Sequence, residues 1–255
     1  MNIELDTIYN CDCLIGMKQI PDGTIDAVIC DLPYGVLNKG NEGGTWDTVI
    51  PFDKLWEQYK RICKPTAAIV LFGQGMFTAD LMHSNREWWR YNLIWKKGNR
   101  CAGFLNANRQ PLRNHEDIIV FYQKQPTFNP QKWKGRPNHT HSVHRSVKGN
   151  RCYGEHNQMP TIITEWKFPY SIIDVENEHK DFYHPTQKPV DLLSYLVLTY
   201  TNEGDTVLDN CSGSGTTAIA CVKEKRHFIC FEKDETYWKK SVERVKNEQR
   251  QLTLF

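Results

Sequence analysis

The chain has 255 residues, 40% hydrophobic and 24% charged, which suits one α/β domain with an insertion better than several domains. Its longest uninterrupted apolar stretch, Ala67 to Phe72, falls far short of the roughly 18 residues of a membrane span, and the start MNIELDTIYN carries acids, so a soluble, cytoplasmic protein is expected. Nine cysteines, an odd number without a CxxC pair, argue against a disulfide framework and for reduced thiols.

In chain order, Thr7 to Asn10 read as a first strand, followed by Asp12 and Cys13. Ala27 to Cys30 are apolar without alternation, as in a central strand, and run straight into Asp31-Leu32-Pro33-Tyr34. A carboxylate, a stiffened backbone and an aromatic ring then share the carboxyl end of a strand, where open α/β sheets bind ligands. Residues 35–47, GVLNKGNEGGTWD, hold four glycines and read as a lid over that place. Phe52, Leu55, Tyr59 and Ile62 predict a helix over Phe52 to Cys63, and strands follow at Ala67 to Phe72, Tyr91 to Trp95 and Ile118 to Tyr122. Residues 123–183 lack periodicity and read as an insertion that carries recognition. Pro189 opens a helix through about Tyr200, strands lie at Thr206 to Asp209 and Phe228 to Phe231, and a charged helix runs from Glu235 to about Arg250. Strands alternating with helices predict a doubly wound, mostly parallel sheet. The expected divisions are 1–122, 123–183, 184–250 and a tail, 251–255.

The net charge of +2 hides an asymmetry. Trp88 to Gly154 contains thirteen Lys and Arg against Glu116 and Asp117, a local +11 that leaves −9 for the rest. Trp88, Trp89, Trp95, Phe104, Phe121, Tyr122, Phe128, Trp133 and Tyr153 are interleaved with that charge, a composition suited to phosphates and unstacked bases. Lys96, Lys97, Arg100, Arg109, Arg113, Lys132, Lys134, Arg136, Arg145, Lys148 and Arg151 are the candidate nucleic-acid contacts.

In TVLDNCSGSGTTAIACVKEKRHFICFE, residues 206–232, a strand reaches Asp209, Gly213 and Gly215 allow a tight turn, and Thr216 starts a helix whose free N–H groups face the same place. A second strand ends at Glu232, seventeen positions after Gly215, where a carboxylate can accept ribose hydroxyls. By itself this nucleotide cradle leaves NAD or FAD open.

DLPY at 31–34, HPTQKP at 184–189 and DNCSGSGTT at 209–217, in that order, resemble the β-class, permuted S-adenosylmethionine-dependent DNA amino-methyltransferases. CDCL at 11–14, LFGQ at 71–74 and RNHEDIIVFY at 113–122 resemble further family blocks. The resemblance implies a circularly permuted seven-stranded methyltransferase sheet, with residues 1–122 as catalytic half, 123–183 as target-recognition insertion and 184–250 as cofactor-binding half. It implies that Asp31 and the Leu32 carbonyl accept the protons of a base amine, that Pro33 fixes the turn, and that Tyr34 stacks on a base extruded from double-stranded DNA. S-adenosylmethionine, leaving as S-adenosylhomocysteine, is the implied cofactor, with Asp12, Cys13, Asp31, Thr186, Lys188, Asp209, Asn210, Ser212, Gly213, Gly215, Thr216, Thr217 and Glu232 around it. Lys188 is expected at its methionine carboxylate, and Thr186 as a helix cap. The family's usual second residue is proline where this chain has Leu32, but the role belongs to the backbone carbonyl. Asp31, where N4-cytosine members commonly have serine, points to the N6 amine of adenine.

An oxidoreductase would leave DLPY without a role, and a DNA-binding module would not need Asp31 beside Tyr34. His139, His141, His144, Cys152 and His156 match no standard zinc spacing, so no metal is expected. Gln251-Leu252-Thr253-Leu254-Phe255 resembles the peptide by which bacterial proteins dock on the DNA sliding clamp, with Gln251, Leu252, Leu254 and Phe255 as contacts. A restriction-modification or phage setting and a homodimer fit these expectations.

Overall fold

The computed structural model describes residues 3–36, 47–137, 164–176 and 187–253, with side chains through Gln251. In chain order the strands are β1 (Thr7–Asn10), β2 (Ile25–Cys30), β3 (Cys63–Gly73), β4 (Trp89–Lys96), β5 (His115–Phe121), the short β6 (Trp133–Lys134) and β7 (Trp166–Lys167), β8 (Ile172–Asp174), β9 (Thr206–Asp209) and β10 (His227–Glu232). The helices are α1 (Cys13–Met17), α2 (Phe52–Ile62), α3 (Met76–Ser84), α4 (Val190–Tyr200), α5 (Thr216–Lys223) and α6 (Glu235–Thr253). Met1–Asn129 and Ser171–Phe255 form one compact unit, and Pro130–Tyr170 a second.

The first unit is an eight-stranded sheet in the order β1-β10-β9-β2-β3-β5-β4-β8. Only β5 runs antiparallel to its neighbours β3 and β4. The apolar run in β2 is explained by its place beside β9 and β3, where Ile25 and Ala27 to Cys30 are almost wholly buried. Side chains alternate between two layers: Ile29, Val70, Phe72 and Val120 pack beneath α4 and α5, while Val28, Cys30, Ile69 and Phe121 pack against α1 and α2. Each such aliphatic contributes about 1.5–3 kcal/mol by burial.

Seven strands coincide with those expected from the sequence; the eighth corrects the seven-strand expectation. β8 has three residues and buries one, Ile173, so it carries too little periodicity to be read. It pairs with β4, and Trp95 Nε1 donates to the Val175 carbonyl at 2.9 Å. Pro189 occupies the N-cap of α4 rather than its first turn. Helix α6 continues past Arg250, so Gln251–Thr253 belong to it, while Leu254 and Phe255 lie outside the described residues. No helix among the described residues is long and apolar enough to cross a membrane.

The second unit pairs β6 with β7 antiparallel, joined by Gly135 N donating to Glu165 O at 2.7 Å. Trp133 meets Tyr170 at 5.8 Å between ring centroids, and the Lys132 ammonium lies 4.6 Å from the Phe168 ring centroid.

Candidate active site

Because β2 is buried on both faces, its chain can only meet solvent beyond the carboxyl end, and there it places Asp31. The neighbouring β9, whose Leu208 is in register with Val28, ends one residue later at Asp209. Asp31 Oδ1 accepts from the Tyr34 hydroxyl at 2.7 Å, and Oδ2 receives the Lys188 ammonium. Lys188 also lies 3.2 Å from Glu116 Oε2, and Lys97 lies 2.5 Å from Glu116 Oε1. Two acids and two bases thus alternate, with side chains only 9 to 23% exposed. Burial lifts the Asp31 carboxyl above the ordinary range, with Lys188 pulling it down and Glu116 pushing it up. Burial opposes the other two charges as well, yet Lys188 and Lys97 hold Glu116 low, and Asp31 and Glu116 hold Lys188 high. Lys188 is therefore a fixed cation, and Asp31 is the member poised to take a proton. The Leu32 side chain is buried, Pro33 is half-buried, and the Tyr34 ring packs on Phe77 with centroids 4.7 Å apart.

The glycine loop makes the other wall. Gly215 caps α5 at φ +74°, and a Cβ there would come within 2.9 Å of Ser241 Cβ on α6, so glycine is required on two counts. Buried Asp209 accepts from Cys211 N at 3.1 Å and Thr217 Oγ1 at 2.6 Å. Its carboxyl is pushed up to about 6 by burial. Glu232 accepts from Gly213 N at 2.7 Å and Asp234 N at 2.8 Å, tying the two loops together. Two bonds leave lone pairs on that carboxylate for further donors. Burial raises the Glu232 carboxyl too. Asn210 Oδ1 accepts from the buried Tyr59 hydroxyl at 2.5 Å, and Ser212 N donates to Phe231 O at 2.9 Å.

Asp12, Cys13, Asp31 to Tyr34, Lys188, Asp209, Asn210, Ser212, Gly213, Thr216, Thr217 and Glu232 all line one cleft of about 810 Å³. Gly215 shapes the turn behind it, and Thr186 lies outside the described residues. Asp12 caps α1 by accepting from Leu14 N at 2.9 Å and faces Lys233 at 3.6 Å. Lys188, expected at a cofactor carboxylate, here pairs with Asp31 and Glu116. Of residues 35–47, only Gly35, Val36 and Asp47 are described; Gly35 N donates to buried Asp47 at 2.9 Å.

Sequence reasoning missed Glu116 and Arg244. Glu116 left a signal, as one of two acids in a basic stretch. Arg244 left none: it sits in a charged helix, yet its guanidinium reaches Ser214 O at 3.1 Å and Thr216 Oγ1 at 3.0 Å.

The basic residues divide. Lys96 pairs with Asp174 at 2.5 Å and Lys134 with Glu165 at 3.1 Å. Lys97 belongs to the buried network, while Arg109, Arg113, Lys132 and Arg136 are exposed and Arg100 is half-buried. Arg145, Lys148, Arg151 and Tyr153 lie outside the described residues. The aromatic reading needs correction: of the aromatics in the basic stretch, Trp88 and Phe121 are core residues on the α2 side of the sheet and cannot stack on a base, while Trp95, buried in the layer beneath α4 and α5, borders the cleft rather than an open DNA-facing surface. Phe104, Phe128 and Trp133 do face solvent. No group of three His, Cys, Asp or Glu side chains among the described residues could hold a metal ion; the histidines from 139 to 156 fall outside them. The eight cysteines among the described residues are free thiols.

The N6/N4 methyltransferase family model, described as DNA methylase, matches residues 25–243. The type II methyltransferase M.HpaI of Haemophilus parainfluenzae is 29% identical over 249 residues, covering 91% of this chain and 71% of that protein. The type II methyltransferase M.BglII of Bacillus subtilis is 25% identical over 256 residues, covering 91% and 67%. Two solved structures share the fold. The M1.HpyAVI–SAM complex aligns at TM-score 0.61 and 20% identity over 93% of this chain and 98% of its own. The cytosine-N4-specific PvuII DNA methyltransferase aligns at TM-score 0.66 and 15% identity over 98% and 93%.

Proposed function

The chain belongs to the DNA methylase family, and on that premise we propose that it methylates the N6 amine of an adenine turned out of double-stranded DNA. It is a DNA methyltransferase whose donor is S-adenosylmethionine, which supplies an electrophilic methyl group on its sulfonium. The observation that carries the finer reading is Asp31: a partly buried carboxylate of raised proton affinity, at the carboxyl end of β2, in the same cleft as the glycine cradle.

The cradle fits a nucleoside with an amino-acid tail. Glu232 keeps acceptor capacity, the α5 N-terminus and the loop from Asn210 to Ser214 offer polar backbone, and the cleft falls within the usual ligand range of about 300–1,000 Å³. An adenine amine is a poor nucleophile, because its lone pair is delocalised into the ring. Asp31, by accepting from that amine, draws the lone pair back to nitrogen and balances the positive charge that develops there. Its carboxylate retains sites for this beside those taken by Tyr34 and Lys188. Once the N–C bond has formed, the nitrogen carries an extra proton, and Asp31 is placed to receive it.

The choice of adenine rests on Asp31 standing where N4-cytosine relatives commonly carry serine. The exposed Arg109 and Arg113 suit phosphates, as do Lys132 and Arg136 in the second unit, whose exposed aromatics Trp133, Trp166, Phe168 and Tyr170 suit unstacked bases. Docking on a sliding clamp is carried by the resemblance of Gln251-Leu252-Thr253-Leu254-Phe255 alone; a chain ending at Arg250 should lose capture by purified clamp, and equal capture would remove it. Methylation-sensitive sequencing of DNA from cells expressing the protein tests base and site together. Modified adenine at one recurring site is expected; modified cytosine would transfer the same chemistry to N4, and unmodified DNA would overturn both.

A further inference from the structure

Between β4 and β5, residues 97–114 form an ordered projection. Its stem is closed by Lys97 N donating to Asn114 O at 2.8 Å, Ala102 N to Arg113 O at 2.7 Å, and Arg113 N to Ala102 O at 3.0 Å. At the apex Gly103, at φ +92°, turns the chain into one 3-10 turn, Phe104–Asn106, held by Asn106 N donating to Gly103 O at 2.9 Å. Phe104 is 66% and Leu105 101% exposed. Single exposed apolar side chains are commonplace, but two adjacent ones, fixed at the tip of a hydrogen-bonded projection, are a shaped surface.

The neighbourhood names the partner. From residue 97 to 114 there is no acid, while Lys97, Arg100, Arg109 and Arg113 supply four cations. Lys97 is engaged by Glu116, but Arg109, following the 3-10 turn, and Arg113, in the stem, stand exposed. An apolar pocket on another protein has no need of that charge, whereas phosphates flanking an opened base step do. The stem also borders the reaction site, since Lys97, Ala102 and Arg113 line the cleft that holds Asp31. A base that leaves the stack opens a gap whose neighbours lose their contacts, and an inserted apolar side chain restores them.

We propose that Phe104 and Leu105 are a wedge that enters the duplex beside the cleft and fills the space left by the extruded base. The inference rests on the chain acting on an extruded base, as proposed above. They are positioning residues: they touch neither cofactor nor the reacting amine.

The test compares two duplexes bearing the site that sequencing identifies, one fully paired and one with an abasic position opposite the target, where no partner resists extrusion. Phe104→Ala/Leu105→Ala should lower kcat/KM on the paired duplex by about tenfold or more and on the abasic duplex by less than about twofold. Arg109→Gln, a phosphate contact, should weaken both alike. Equal losses of the double variant on both duplexes, or no loss on the paired one, would overturn the wedge. A wild-type protein inactive on both would instead overturn the proposed function. S-adenosylmethionine binding by calorimetry reports folding, and should the double variant lose it, Leu105→Ala alone, whose side chain is wholly exposed, carries the same comparison.

Discussion

The two walls of the cleft hold their carboxylates by opposite means. Asp31 is embedded among charges, with Lys188 against it and Glu116 and Lys97 beyond, whereas Asp209 and Glu232 are held by uncharged N–H and O–H donors. Neighbouring charges act on a carboxyl's proton affinity over and above burial, whereas directional neutral donors chiefly fix its position. The Asp31 wall is therefore built for an event that moves charge, and the glycine wall for holding a shape. Burial lifts all three carboxyls, but only Asp31 has a neighbouring cation to steady it when ionised.

Removing groups from each wall breaks or sharpens this contrast. Asp31→Ala should reduce methyl transfer by about 10³-fold, comparable to losing a preorganised electrostatic group, while cofactor affinity by calorimetry changes only a few-fold. Near-normal turnover would abolish the distinction between the walls. Glu116→Gln leaves Lys97 and Lys188 facing one another across a neutral amide, which should cost about 3 kcal/mol in denaturant unfolding. Glu116 pushes the Asp31 carboxyl up, so its removal should also move the acidic limb of the activity profile to lower pH.

On the glycine wall the expected effect is on stability. The Asp209 carboxyl titrates at about 6 in the folded chain, above its ordinary 3.8. The folded state thus binds the proton more tightly than the unfolded one, and stability falls as pH rises from about 4 to about 6, then levels. Asp209→Asn should remove on the order of 2–3 kcal/mol of that pH-dependent change, read from unfolding across the pH range. Asp31 and Glu232, raised likewise, leave a residual slope of the same sign. The smallest effect belongs to Lys96→Ala, whose half-exposed pair with Asp174 should be worth no more than about 0.5 kcal/mol in unfolding.

The glycine wall was the more legible in the sequence, because it is made by neighbours: Asp209, Gly213, Gly215 and Thr216 lie within one strand, turn and helix, and Glu232 ends the next strand. The Asp31 wall is assembled from distant places. Asp31 and Tyr34 announced themselves, but Lys188 is 157 positions away and its pairing with Asp31 follows only from the packing of α4 beside the sheet. Glu116 could be read as an acid in a basic stretch, though not as the bridge between two lysines. Aromatic residues misled for the converse reason: Trp95 and Phe121 have the same composition signal whether they face DNA or the core, and only the pairing of β4 with β5 decides. β8 was too short to announce itself at all.

The most direct measurement is the identity of the methylated nucleoside. Purified protein, isotopically labelled S-adenosylmethionine and double-stranded DNA are incubated, and the digested DNA is resolved by mass spectrometry. Label in N6-methyladenine, abolished by Asp31→Ala although the variant still binds the cofactor, is the expected result. Label in N4-methylcytosine would contradict the choice of base, and undiminished labelling by Asp31→Ala would contradict the role given to the carboxylate.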